Sequence, residues 1–141
     1  MKFRTPSIEE YERILELWDE AGLPYKPEGR DTREKIEKEL REKPEYWIGA
    51  YEEGELIALI VGTDDGRKGW INRFAVDPDY QDKGIGTELL KRMEKEFESK
   101  GFEVIGALIE GDNPGSMEFF ERRGYEDLGI KYYSKRKSQK S

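Results

Sequence analysis

Asp77-Pro78-Asp79-Tyr80-Gln81-Asp82-Lys83-Gly84-Ile85-Gly86-Thr87-Glu88-Leu89-Leu90 is the stretch on which the fold turns. Before it, Trp70-Ile71-Asn72-Arg73-Phe74-Ala75-Val76 is rich in aromatic and branched residues and runs into Asp-Pro, the pattern of a strand that ends in a turn. After it, Ile85, Leu89, Leu90, Met93 and Phe97 recur at helical spacing until Gly101 stops the helix. The glycines therefore sit at a helix N-terminus, where the first amides lack intrahelical acceptors and the dipole is positive. Such a terminus binds phosphate without needing a basic side chain. On this reading the amides of Asp82, Lys83, Gly84, Ile85, Gly86 and Thr87 form an anion cradle, to which Lys83 adds charge. The alternative is a tight strand-to-helix turn in which Gly84 and Gly86 serve packing alone, because two glycines in isolation are weak evidence.

Spacing removes two familiar nucleotide motifs. A dinucleotide fingerprint needs three glycines and an acidic residue about 20 positions on, and a nucleotidase phosphate loop needs a lysine between the last glycine and Ser or Thr; Gly86-Thr87 has none. Composition removes more. The chain of 141 residues has no cysteine and no histidine, so disulfides, thiolate nucleophiles and the commonest general base and metal ligand are excluded, and no metal site is expected. Catalysis is left to carboxylates, tyrosines, water and backbone groups. The net charge is −7, and residues 131–141 hold Lys131, Lys135, Arg136, Lys137 and Lys140 with no acid; without those five cations the other 130 residues stand at −12. An acidic body disfavours nucleic acid and suits a cationic partner such as an amine or a basic peptide, while the basic segment reads as a solvated, partly frayed end. No apolar run approaches the ~20 residues of a membrane span, and the N-terminus lacks a signal-peptide core, so a cytoplasmic protein is expected.

Read in order, the chain is one domain over 1–141. Residues 1–5 suit a short strand. Ser7-x-x-Glu10 is a capping box before a helix with Ile8, Tyr11, Ile14, Leu15 and Trp18 on one face, ending near Gly22. A Pro- and Gly-bearing loop over 23–30 precedes a surface helix from about Asp31 to Glu42, anchored by Ile36 and Leu40. Two strands joined at Glu53-Gly54 form a hairpin, the second of which, with Leu56-Ile57-Ala58-Leu59-Ile60-Val61, is apolar on both faces and therefore central. Beyond the long helix, residues 102–110 complete a right-handed βαβ crossover with parallel strands. Asn113-Pro114 starts a helix that Arg123-Gly124 ends, and residues 125–134 suit one or two final strands around Gly129. The fold class is α/β, a mixed central sheet flanked by helices.

Gln81-x-x-Gly84-x-Gly86 behind Ala75-Val76-Asp77-Pro78 resembles the acyl-CoA loop of the GNAT family of N-acetyltransferases, and residues 74–86 are similar to the bacterial ribosomal-protein N-terminal acetyltransferases. The element order matches that family over nearly the whole chain. The resemblance implies the single-domain acyl-CoA N-acyltransferase fold, acetyl-CoA as cosubstrate, and a small-molecule, peptide or protein amine as acceptor; a homodimer stays open. It implies that backbone groups of Phe74, Ala75 and Val76 hold the pantetheine arm as an extra strand would. Gln81, Asp82, Lys83, Gly84, Ile85, Gly86 and Thr87 are implied around the pyrophosphate. Asn113-Pro114-Gly115-Ser116-Met117-Glu118-Phe119-Phe120-Glu121-Arg122-Arg123-Gly124-Tyr125 is similar to a second family element, with Asn113 at the pantetheine contact. Asn113 is equally a local N-cap. Gly106 marks either the bend where the neighbouring strand diverges or an ordinary bulge.

The chain departs from that pattern at two positions. The tyrosine that the family uses to protonate the leaving thiolate is Phe120 here, and the acidic base of the ribosomal enzymes is Leu108. A thiol of pKa about 8.5 is a tolerable leaving group without an acid, but an ammonium of pKa about 10 must lose a proton before it attacks. Glu110, two residues past Leu108 and so on the same face of a regular strand, is the first candidate base. Tyr132 and Tyr133, on the expected late strand, are candidates for the acid; each of the three also reads as a surface or core side chain. A CoA-binding module without catalysis and an adaptor without cofactor are the competing functions.

Overall fold

The computed structural model describes residues 1–109 and 114–141. Its elements are β1 (Lys2–Arg4), α1 (Tyr11–Glu20), α2 (Arg33–Glu42), β2 (Trp47–Glu52), β3 (Glu55–Asp64), β4 (Gly69–Val76), α3 (Ile85–Ser99), β5 (Ile105–Ala107) and α4 (Pro114–Glu121). The strands form one sheet in the order β1-β2-β3-β4-β5, antiparallel except for the parallel pair β4 and β5 on either side of α3. The parallel pairing is the expected one.

Local signals set most element ends. Ser7 Oγ accepts from the Glu9 amide while Glu10 Oε1 accepts from the Ser7 amide, closing the capping box over a single turn of tighter helix before α1. Thr32 Oγ1 caps α2 by accepting from the Lys35 amide at 3.2 Å. The hairpin turns through Glu53 and Gly54, both at positive φ (50° and 81°), as a two-residue turn with the twist of its strands requires. β3 is central, and its residues 56–62 are buried on both faces. α1 reaches the sheet through Trp18, whose ring lies 6.1 Å from that of Trp47, and α3 through Phe97, whose ring a Cβ on Gly69 of β4 would meet at 2.4 Å. α2 buries Ile36 and little else, as its sparse apolar pattern requires. No described helix is long and apolar enough to cross a membrane.

Two expectations are corrected. Only residues 105–107 of the expected strand at 102–110 pair in the sheet, and Glu110 lies outside the described residues. No strand forms over 125–134. Asp127 Oδ1 accepts from the Gly129 amide in a local turn with Gly129 at φ +69°, and Leu128, Ile130, Tyr132 and Tyr133 stand exposed. An alternating pattern specifies a strand only where a sheet face receives its apolar side, and this segment meets none.

Gly106 is explained by its cross-strand partner Trp70: a Cβ at position 106 would fall 2.5 Å from the Trp70 ring. Gly106→Ala is therefore expected to destabilise the protein by about 1–3 kcal/mol through overpacking, read as a lower urea midpoint at unchanged m-value.

Candidate active site

The site is built where β4 leaves β5. β4 pairs with β3 through Asp64↔Gly69, Thr63↔Trp70, Gly62↔Ile71 and then Val61↔Arg73, so Asn72 is an extra residue bulged out of the ladder. Its amide Nδ2 donates to Thr63 Oγ1 at 2.8 Å. On the other side β4 pairs with β5 only from Gly69 to Ile71, and the last bond between them runs from the Leu108 amide to the Ile71 carbonyl at 3.1 Å. Beyond the bulge, β4 keeps β3 as partner on one edge; no described strand pairs with the other edge at Phe74, Ala75 and Val76. An unpaired edge offers amides and carbonyls to an extended ligand.

That edge opens onto the glycine loop. Asp77 anchors the loop start: Oδ1 accepts from the Asp79 amide at 2.9 Å and Oδ2 pairs with Arg13 Nη2 at 2.7 Å, while Arg13 Nε donates to the Leu56 carbonyl. The Asp79 amide, and after it Arg13, hold the Asp77 carboxyl below its ordinary pKa against the opposing cost of burial. A depressed folded-state pKa means this contribution is complete above the unfolded carboxyl's ~3.9 and is lost only as pH falls through the lower folded value. Gln81 Nε2 closes the loop onto the Val76 carbonyl at 3.3 Å. Asp82 (φ +61°) and Gly84 (φ +79°) are left-handed, and Gly84 caps α3.

The two glycines do different work. A Cβ on Gly84 would meet nothing within 4 Å, so glycine is there for its φ and the space over the cap is open. A Cβ on Gly86 would lie 3.4 Å from both Phe119 and Phe74, where α3, β4 and α4 converge. The amides of the first turn of α3 have no intrahelical acceptors. Lys83 Nζ lies 5.3 Å from the Tyr80 ring, on the rim of a cleft of about 440 Å³ shared with Met1, Phe3, Tyr80, Gly84 and Glu88.

One residue at this helix start was not foreseen. Arg123, just past α4, donates from Nε and Nη2 to Thr87 Oγ1 at 3.1 and 2.6 Å and from Nη1 to the Phe119 carbonyl, with its guanidinium 3.7 Å from the Phe119 ring centre. It brings a fixed positive charge to the first turn of α3 and leaves the Thr87 hydroxyl proton free to donate. Arg122-Arg123-Gly124 reads as a helix end, and nothing in its spacing points 36 residues back to Thr87.

Phe120 is 5% exposed, within an aromatic group of Phe74, Phe119 and Tyr125 at ring-centre distances of 6.1, 5.4 and 5.2 Å. Tyr125 donates its hydroxyl to Glu94 Oε2 at 2.9 Å, and its pKa is raised by burial first and this bond second. The one hydroxyl in the group, that of Tyr125, is already given to Glu94. Phe120→Tyr is expected to lower stability by about 1–3 kcal/mol in a urea titration, the cost of a buried hydroxyl without a partner. Leu108 is 49% exposed, and Asn113, like Glu110, lies outside the described residues. Tyr132 and Tyr133 are 75% and 87% exposed and belong to no strand, so the geometry expected of them as acids is not formed.

A profile of the acetyltransferase (GNAT) family matches residues 11–125. The chain belongs to that family. Among relatives, an acetyltransferase of Sodalis glossinidius is 30% identical over 126 residues, covering 89% of this chain and 87% of its own. Among solved structures, the PaiA N-acetyltransferase of Thermoplasma acidophilum in complex with coenzyme A superposes with a TM-score of 0.78 at 23% identity, covering 89% of each chain. The aminoglycoside 6'-N-acetyltransferase of Acinetobacter haemolyticus gives 0.76 at 19% identity, covering 98% of this chain and all of its own. The GNAT protein described here is thus a member of an acetyltransferase family, with the fold that both solved structures share.

Proposed function

We propose that this GNAT protein transfers acetyl from acetyl-CoA to a primary amine by direct attack in a ternary complex. The observation that carries the reading is the edge of β4 beyond Asn72, with no described strand beside it and continuous with an open helix N-terminus. Phe74, Ala75 and Val76 would hold the pantetheine amides, and the amides of residues 82–87 the pyrophosphate, with Lys83 and Arg123 supplying charge. Gln81 and Ile85 would shape the loop. An amide near Val76 would face the developing oxyanion, a preorganised donor often worth about 3 kcal/mol.

No cysteine is present to carry the acetyl group, which favours direct transfer over a covalent enzyme intermediate. Asn113 is assigned to the pantetheine arm on the resemblance, and Glu110 to deprotonation of the amine as the acid two residues past the family's base position at Leu108. Phe120 would line the cofactor without donating, so the thiolate would leave unassisted. Acceptor choice falls to the loops over 24–30 and 63–69; a peptide N-terminus, as in the ribosomal-protein enzymes, is one of the amine classes to be tested. The proposed setting is cytoplasmic.

Calorimetry with acetyl-CoA, followed by CoA-thiol release across a panel of peptide N-termini, lysine peptides and polyamines, tests the reading. Saturable binding and turnover on at least one amine are expected. Binding without turnover on any of them would leave a cofactor-binding module, and no binding would remove the site.

A further inference from the structure

The basic segment 131–141 returns to the loop between α1 and α2. Lys140 Nζ lies 3.2 Å from Glu28 Oε2. The Lys140 carbonyl oxygen sits where a Cβ on Gly29 would be 2.0 Å away, with the carbonyl carbon at 2.9 Å and Ser141 Cα at 3.2 Å. Only glycine admits that approach, and φ at Gly29 is not positive, so backbone freedom is not the reason for a glycine there. The segment holds its own shape at this point: the Ser141 amide donates to the Ser138 carbonyl, the Lys140 amide to Ser138 Oγ, and Arg136 Nη1 to the Ser141 carbonyl at 2.7 Å. An exposed ion pair holds little by itself; the close backbone seat at Gly29 is what defines the dock.

The seat is joined to β4. Gly29 and Asp31 amides both donate to the Lys26 carbonyl, at 3.0 and 2.9 Å, and Asp31 Oδ2 accepts from the Lys26 amide. Asp31 then accepts from Arg73 Nη1 and Nη2 at 2.6 and 2.8 Å, and Arg73 directly precedes Phe74. A lysine-rich peptide is therefore held against an acidic body, on a loop latched to β4 through Arg73.

We infer that segment 131–141 is itself an amine substrate, and that Lys140 is acetylated by the site of its own chain; this rests on the transferase reading above. The Lys140 ammonium gives one proton to the Glu28 carboxylate, and the freed lone pair attacks the thioester carbonyl carbon. The N–C bond forms, the C–S bond breaks, and the departing thiolate takes the second proton from nitrogen. The products are Nε-acetyllysine and coenzyme A. Acetylation removes the charge that pairs with Glu28.

The full chain is incubated with acetyl-CoA and each lysine followed by peptide mass mapping, alongside calorimetry and thiol release on the external amine panel. Lys140 is expected to be modified ahead of the exposed Lys38 and Lys95, at a fractional rate independent of protein concentration. Gly29→Ala should slow Lys140 on the order of 10²-fold, as loss of a positioned approach does, while acetyl-CoA affinity is retained. Gly86→Glu should abolish the modification, separating it from uncatalysed acetylation. Lys140 modified no faster than Lys38, or untouched by Gly29→Ala, overturns the inference alone if acetyl-CoA binds and external amines turn over. Absence of acetyl-CoA binding overturns the transferase reading, and this inference with it.

Discussion

Gly86→Glu is expected to abolish acetyl-CoA binding and to leave the protein folded. Position 86 lies in the first turn of α3, φ there is not positive, and a Cβ would sit 3.4 Å from the Phe74 and Phe119 rings, close enough to need a small adjustment and no more. A carboxylate at a helix N-terminus favours the helix, because it faces the positive end of the dipole and the unpaired amides. Those are the amides assigned to the pyrophosphate, so the added negative charge beside them would repel the ligand. At an effective dielectric of about 20, two unit charges about 4 Å apart repel by about 4 kcal/mol, an affinity loss on the order of 10³-fold. Calorimetry measures the affinity and thermal unfolding the fold. Unchanged affinity in a folded variant would remove the phosphate assignment.

Asp31→Ala is expected to be the most destabilising single change in the loop before α2, costing about 3–5 kcal/mol in a urea titration. Asp31 is 5% exposed, the only buried charged residue among those described. Its carboxylate receives both Arg73 Nη atoms and the Lys26 amide, its carbonyl receives the Tyr11 hydroxyl at 2.6 Å, and the Arg73 guanidinium lies 4.1 Å from the Trp18 ring centre. Removing the carboxylate strands the guanidinium at a largely buried position and frees the loop over 26–31 from β4. The Asp31→Ala, Arg73→Leu double variant should recover much of the loss, since no buried charge is then left unpaired. A single-variant cost below about 1 kcal/mol would mean that water already screens the pair.

Elements whose cause lies within a few residues were legible from composition and spacing. Ser7 and Glu10 cap a helix, Glu53-Gly54 turns a hairpin, and Gly84 opens a helix N-terminus because each arrangement is satisfied by near neighbours and by allowed φ values. The apolar run in β3 identifies a central strand because both of its faces must be covered. Resemblance then added the family, which residues 11–125 bear out.

Contacts between distant segments were decided by tertiary structure alone. Asn72 bulges where Val61 and Gly62 change register, Arg123 meets Thr87, Asp31 meets Arg73, and Gly29 seats Lys140, at separations that no local period encodes. The alternation of Leu128, Ile130 and Tyr132 shows the converse: a pattern fit for a strand stays exposed without a sheet face to bury it. Local rules act through the backbone's allowed angles and nearest hydrogen-bond partners, so sequence alone determined those locally satisfied elements and the glycine turn proposed as a cradle. Which charge reaches that cradle, and which loop stands beside it, depends on side chains that become neighbours only once the sheet and helices have packed.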